Sequence, residues 1–98
     1  MGEAVAEKLL AFLKHVEREQ PDIICLQETA NKVVPMQGYN HYVASGKVSH
    51  TQHGAVTYVR TTLGEMEQVK VDLPNVCHLK ARDMNLDIYN VYIAPMYR

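Results

Sequence analysis

The sequence predicts an α/β fold in which one leading helix is followed by five or six mostly antiparallel strands. Two observations predict it. The first is an amphipathic segment of helical periodicity at the start of the chain, and the second is a series of short apolar or alternating segments separated by turn-forming residues. The chain has 98 residues, of which 47% are hydrophobic and 21% charged. This composition favours a single soluble globular domain over residues 1–98.

The predicted helix covers residues 3–20. Its apolar side chains recur at spacings of three and four, which gathers them on one helical face; they are Val5, Leu9, Leu10, Leu13 and Val16. Pro21 follows this segment and ends the helix, because proline lacks the backbone N–H that a helix interior requires.

An uninterrupted apolar run at residues 23–26 comes directly after the helix. Its length and composition predict a strand that is covered on both faces. A helix that leads into such a strand is typical of an α/β unit.

The remaining predicted strands are short and separated by polar segments. They cover residues 41–44, 55–60, 66–73, 76–82 and 86–94, with loops at 29–40 and 45–54. The last two strands flank Asp83, Met84 and Asn85, and the Asp and Asn of this segment tolerate the conformations that a hairpin turn needs.

A carboxylate stands at the end of the first predicted strand, where Gln27 and Glu28 follow the apolar run. An acid in this position is held by a rigid element and projects into a cleft, as metal-binding groups often do in α/β folds. Carboxylate oxygens suit Mg²⁺, whose remaining coordination is filled by water and substrate phosphate. From the residue alone, a solvated acid at a strand end remains the alternative interpretation.

Three segments resemble one protein family. They are PDIICLQET at residues 21–29, GAVTYVR at 54–60 and LDIYNVYIAP at 86–95. In order and approximate spacing they resemble the first catalytic signature, the second inner strand and the "NVYIPP"-like strand of the endonuclease/exonuclease/phosphatase family. Within this family the chain looks most similar to the endonuclease domains of non-LTR retrotransposons and to apurinic endonucleases.

The resemblance implies a partial DNase I-like sandwich and a Mg²⁺-dependent hydrolase that cleaves DNA phosphodiester bonds, with Mn²⁺ as an alternative ion. It implies that Glu28 is a catalytic residue and the metal ligand, and that Tyr92 is a catalytic residue beside the scissile phosphate. It gives Asn90 and Gln27 supporting roles with less weight. For Tyr92, a packing role at the edge of the core remains equally open.

The sequence also departs from the family pattern. Residues 1–98 contain neither the family's first strand with its "WN"-type motif nor the downstream "GDFN" segment, the later catalytic aspartate or the terminal "DH" pair. We therefore expect this chain to be the N-terminal half of the domain and to be inactive alone. Cleavage needs a positioned water, a base and charge stabilisation together. The alternatives are a non-catalytic half-domain that self-associates or pairs with a complementary chain, and a family phosphatase acting on a substrate other than DNA.

The net charge and the cysteines indicate which binding partners and which cellular compartment to expect. The net charge of −1 carries no excess of cationic groups for DNA binding. Cys25 and Cys77 each lie in an apolar segment and are expected to be buried, reduced thiols. The first twenty residues do not resemble a signal peptide, and we see no apolar run long enough to span a membrane, so we expect an intracellular protein, nuclear or cytoplasmic, that is neither secreted nor membrane-bound.

Histidine and cysteine side chains invite two further interpretations, which the sequence does not favour. His50 and His53 are the only local pair of a zinc site that would need about four ligands. Cys77 and His78 are adjacent on a predicted strand, so they point to opposite faces and do not form a nucleophile and base pair.

Overall fold

The computed structural model describes residues 2–27, 33–44 and 54–93 of the chain. It confirms an α/β fold with one helix, α1, followed by antiparallel strands. The elements are α1 Gly2–Glu19, β1 Ile23–Gln27, β2 Tyr39–Val43, β3 Ala55–Arg60, β4 Glu67–Val69, β5 Val76–Ala81 and β6 Leu86–Val91. Within these ranges, we find no helix that has both the length and the apolar character needed to cross a membrane.

The strands form two three-stranded sheets. The first sheet has the order β1-β3-β2 and the second the order β4-β5-β6, and every pairing is antiparallel. In the first sheet Cys25 lies opposite Thr57, and in the second sheet Cys77 lies opposite Asn90. In each sheet the most buried strand lies at the centre.

Two hydrophobic clusters hold three layers together. One cluster joins α1 to the first sheet through Val16, Ile24, Val56 and Tyr58. The other lies between the two sheets and comprises Ala44, Ala55, Val59, Met66, Cys77, Leu79 and Ala81. The hydrophobic residues of β3 alternate between these clusters, as the two-residue period of a strand requires, which explains why both faces of this strand are buried.

The prediction that residues 23–26 are covered on both faces is wrong. β1 lies at the edge of the first sheet, and Cys25 on its inner face is exposed. An edge strand has a neighbour on one side only, so the rim of the sandwich leaves this face open. The expectation of two buried cysteines is accordingly correct for Cys77 and wrong for Cys25.

The strand boundaries differ most after β3. The segment predicted as a strand at residues 66–73 is extended only over Glu67–Val69, and Leu73 is exposed. The hairpin between β5 and β6 is present: Arg82–Met84 form a 3₁₀ turn and Asn85 adopts the left-handed conformation at φ 51° and ψ 47°. Of the predicted loop at 29–40, the described residues 33–38 belong to no helix or strand, whereas Tyr39 and Asn40 begin β2. The predicted loop at 45–54 lies outside the described residues except for Gly54.

Candidate functional site

Gln27 and Asn90 meet where the two sheets approach each other. The Gln27 Nε2 donates a hydrogen bond of 2.6 Å to Asn90 Oδ1, although the residues are 63 positions apart in the sequence. Gln27 is the last residue of β1 and Asn90 lies near the end of β6. The contact joins two of the three segments that carry the family resemblance.

The buried side chain of Asn90 has polar partners on β1 and β3. Its side chain is 1% exposed. Its Nδ2 lies 3.1 Å from the Val56 carbonyl oxygen, 3.2 Å from Thr57 Oγ1 and 3.4 Å from the Leu26 carbonyl oxygen. A buried carboxamide is stabilising only when its donors and acceptor are satisfied. Because Asn90 Oδ1 already accepts the Gln27 bond, we interpret Asn90 as a residue that fixes β6 against β1 and β3.

Thr57 extends this polar junction to Cys77. Burial raises the pKa of the Cys77 thiol, while a hydrogen bond with Thr57 opposes that rise. The Cys77 Sγ also lies 3.7 Å from the Tyr42 carbonyl oxygen. Since a thiol with a raised pKa is protonated at neutral pH and therefore a poor nucleophile, Cys77 has a structural role.

Asn75 ties Tyr92 to the same end of the sandwich. Its Oδ1 accepts a hydrogen bond of 2.8 Å from the Gly54 N–H, and its carbonyl oxygen accepts one of 3.0 Å from the Tyr92 N–H. Gly54 immediately precedes β3, whose first residue is opposite Gln27. Gln27, Asn75 and Tyr92 therefore lie at one end of the two sheets, which we call the Gln27 end.

Of the four residues singled out from the sequence, two have side chains in contact and a third has its backbone at the same end of the sandwich. Gln27 and Asn90 are in contact, and the partly buried Tyr92 lies at the same end of the sandwich. Glu28, the predicted metal ligand, lies outside the described residues.

Sequence reasoning missed Asn75 and Thr57. The Pro74-Asn75 pair signals a turn, and Asn75 does adopt a left-handed φ of 63°. The sequence contains no signal that its side chain would bridge to Gly54. Thr57 is indistinguishable in the sequence from a threonine that simply suits a strand.

Metal ligands are not clustered in the part of the chain that the structure describes. Across residues 2–27, 33–44 and 54–93, no group of three or more His, Cys, Asp or Glu side chains is arranged to hold an ion. His50 and His53, considered above for zinc, lie outside those ranges.

A second polar cluster lies on the outer face of the second sheet. His78 Nε2 is 2.9 Å from Asp87 Oδ1, and the ring of His78 stacks on that of Tyr89 with centroids 4.0 Å apart. Cys77 faces the core between the sheets, so the two adjacent side chains point to opposite faces, as the strand geometry predicted. Tyr89 thus shields a histidine that contacts a carboxylate, away from the Gln27 end.

A cavity lies at the opposite end of the sandwich. It has a volume of about 550 Å³ and is bounded by α1, the segment before β2 and the end of β3. Arg60 lines it, with a buried Nε that makes no hydrogen bond and lies 3.6 Å from Asp22 Oδ1. Glu17 also lines the cavity, so its lining carries one cationic and one anionic side chain.

Comparison of the chain with protein-family models, with curated proteins and with solved structures gives no match in any of the three.

Proposed function

We propose that this chain forms part of a Mg²⁺-dependent phosphodiesterase of the endonuclease/exonuclease/phosphatase type, which cleaves DNA when its remaining catalytic groups are supplied. The observation that supports the proposal is the hydrogen bond of 2.6 Å between Gln27 and Asn90. It connects the ends of two sequence segments that carry the resemblance. Glu28 follows Gln27 directly in the chain, and Tyr92 is two residues beyond Asn90.

In this proposal Glu28 supplies a carboxylate oxygen to the metal ion. Gln27 and Asn90 act as positioning residues, because their mutual hydrogen bond holds the end of β1 against β6. Mg²⁺ needs few protein ligands, since water and substrate phosphate complete its octahedral shell. The bound ion stabilises the charge that develops on the phosphate during cleavage.

Tyr92 lies at the same end as Gln27 through its bond to Asn75. Its proposed role is to orient the phosphate by means of its hydroxyl group. With its carboxylate committed to the metal and its phenol to the phosphate, this pair cannot also supply the base and the positioned water of a hydrolytic reaction. We therefore propose that residues 1–98 bind the metal weakly and do not cleave DNA by themselves.

Paramagnetic broadening by Mn²⁺ tests the metal site without relying on activity. In two-dimensional NMR spectra of the chain, added Mn²⁺ is expected to broaden the backbone amide signals of Gln27, Asn90 and Tyr92 first. Excess Mg²⁺ should reverse this broadening by competing for the site. Glu28→Gln should abolish it, whereas the matched control Glu17→Gln on α1 should leave it unchanged. Broadening that survives Glu28→Gln, or that centres on other residues, contradicts the metal assignment.

Nicking of supercoiled plasmid tests the reaction. Residues 1–98 with Mg²⁺ should leave the plasmid intact. The coding sequence on both sides should be read for the "WN"-type, "GDFN" and "DH" segments. A chain extended to include them should nick the plasmid and should lose this activity in Glu28→Ala. Cleavage by an extended chain that is insensitive to Glu28→Ala contradicts the proposed mechanism.

A further inference from the structure

Two asparagines, Asn75 and Asn90, bridge the two sheets at the Gln27 end. Asn90 lies on β6 and accepts the hydrogen bond of Gln27 from β1. Asn75 Oδ1 accepts a bond of 2.8 Å from the Gly54 N–H, which joins the residue before β5 to the residue before β3. The two bridges therefore involve different strands of both sheets.

The backbone of Asn75 has a conformation in which glycine has the least strain. Its φ is 63°, and the residue is only 9% exposed. Asparagine tolerates the left-handed region better than most residues, since its short polar side chain bonds to the backbone of its own turn. Here, however, the side chain bonds to Gly54, 21 positions away, which itself has a φ of 72°. The carboxamide of Asn75 thus makes a contact between the sheets that glycine at the same φ would not supply.

The backbone of Asn75 also holds Tyr92. Val76 lies opposite Val91 in the pairing of β5 with β6, so Asn75 lies opposite Tyr92 one step further along. The Tyr92 N–H donates a hydrogen bond of 3.0 Å to the Asn75 carbonyl oxygen. This bond continues the ladder one residue beyond β6, which ends at Val91. The position of Tyr92 consequently depends on that of Asn75.

Asn75 connects Tyr92 to the strand that pairs with β1. Its side chain bonds to Gly54, which immediately precedes the residue of β3 that lies opposite Gln27. Its backbone bonds to Tyr92. Every step from Gln27 to Tyr92 along this path is a covalent bond, a ladder pair or a hydrogen bond.

We propose that Asn75 is a positioning residue for the phosphate contact of Tyr92 and takes no part in holding the metal ion. The inference rests on the proposed function, in which Glu28 binds the metal and Tyr92 orients the phosphate. Gln27 and Asn90 position the strand that leads to Glu28, whereas Asn75 sets where the phenol stands. Removal of the carboxamide therefore displaces Tyr92 without weakening the binding of the metal.

Amide hydrogen exchange tests this link without any metal. Asn75→Gly removes the side-chain acceptor, keeps the backbone carbonyl that Tyr92 bonds to, and adopts the left-handed conformation without strain. The Tyr92 amide should nevertheless exchange at least about tenfold faster, the factor that corresponds to one lost hydrogen bond. Asn75→Asp retains an oxygen that accepts the Gly54 N–H, so its Tyr92 amide should exchange as in the parent chain.

Asn85 provides a matched control. It is also an asparagine in the left-handed conformation, with a φ of 51°, and it lies in the turn at the other end of β5 and β6. Asn85→Gly should leave the exchange of the Tyr92 amide unchanged, and circular dichroism should show that all three variants remain folded. Equal acceleration in Asn85→Gly and Asn75→Gly would reveal a general loosening of the second sheet and overturns the proposal.

Broadening by Mn²⁺ separates the positioning of the phenol from the holding of the metal. In Asn75→Gly, the Gln27 amide should broaden at the same Mn²⁺ concentration as in the parent chain, whereas the Tyr92 amide should broaden less. Loss of the Gln27 broadening in this variant overturns the division of roles. If Mn²⁺ broadens no amide of the parent chain, the metal site at Glu28 is wrong, and the exchange rates alone decide whether Asn75 positions Tyr92.

A measurement on the parent chain is independent of how the variants fold. Scalar couplings across hydrogen bonds should connect the Gly54 amide nitrogen to the side-chain carbonyl carbon of Asn75, and the Tyr92 amide nitrogen to its backbone carbonyl carbon. Absence of either coupling overturns the proposal. So does a Tyr92 amide that exchanges at the parent rate in a folded Asn75→Gly chain.

Discussion

Gln27 donates a hydrogen bond of 2.6 Å to Asn90, a side chain that is 1% exposed between the two sheets. The geometry makes Asn90 a link between β1, β3 and β6. Its loss leaves several donors and acceptors unpaired in the interior, and unpaired buried polar groups cost more than a hydrogen bond contributes.

Asn90→Ala should lower the free energy of unfolding by about 2–4 kcal/mol. Gln27→Ala should cost only about 0.5–1.5 kcal/mol, because the exposed Gln27 is replaced by water on the open side of the sandwich. Urea titrations of both single variants and the double variant measure these losses and their coupling. Equal losses for the two single variants would show that Asn90 is not the central residue of this junction.

The two cysteines should differ in their reactivity in the folded chain. Cys25 is exposed and Cys77 is buried, so a chromogenic disulfide reagent should modify Cys25 first and Cys77 only upon unfolding. Desolvation raises the pKa of both thiols. Modification of Cys25 should therefore be slower than that of a free thiol near neutral pH, and faster as the pH rises.

The thiol experiment should be run at low protein concentration, so that disulfides between chains do not consume Cys25. Cys25→Ser should remove the fast phase and leave the slow one. Simultaneous modification of both thiols under native conditions would contradict the placement of β1 at an open edge.

Tyr58 should make the fold sensitive to alkali. Its hydroxyl donates a hydrogen bond of 2.8 Å to the Val34 carbonyl oxygen, and burial raises the pKa of the phenol above its ordinary value of about 10. A folded-state pKa above the unfolded value means that this contribution to stability is fully present below about pH 10 and is lost as the pH rises through the folded-state pKa. Tyr58→Phe should therefore be less stable than the parent chain near neutral pH, and the difference in unfolding free energy between the two chains should shrink in strong alkali.

Near neutral pH, Tyr58→Phe should cost about 0.5–1.5 kcal/mol for the lost bonds to Val34. The unfolding free energies of the two chains should be measured across the alkaline range and subtracted. The ionisation of Cys25 and Cys77 cancels in this difference, because both chains contain these thiols. A constant difference at every pH would show that Tyr58 does not titrate differently in the folded and unfolded states.

Asn85 should tolerate glycine but not other side chains. Its φ of 51° lies in the left-handed region, where a residue with an ordinary side chain is disfavoured by about 1–2 kcal/mol. Asn85→Gly should leave stability nearly unchanged, and Asn85→Ala should lose about 1 kcal/mol. Thermal unfolding measures both variants. As a control, Asp83→Ala in the preceding 3₁₀ turn should have little effect; a larger loss there than in Asn85→Ala would contradict the turn assignment.

The sequence by itself determined the order and type of the elements. The apolar spacing before Pro21 predicted α1, and the alternating or apolar segments predicted five or six strands, because side-chain periodicity is a local property of helix and strand geometry. The hairpin at Asn85 was predictable for the same reason, since the left-handed preference of asparagine is local. Gln27 and Asn90 were recognised as residues of interest through resemblance alone.

Only the tertiary structure decided which strand is an edge and which side chains meet. The apolar run of β1 is compatible with a central or an edge strand, because sequence hydrophobicity does not specify the number of neighbours. The pairing order β1-β3-β2 leaves Cys25 exposed, while the stacking of the sheets buries Asn90 and brings it to Gln27. Contacts between residues far apart in sequence depend on how complete sheets pack, and no local pattern encodes them.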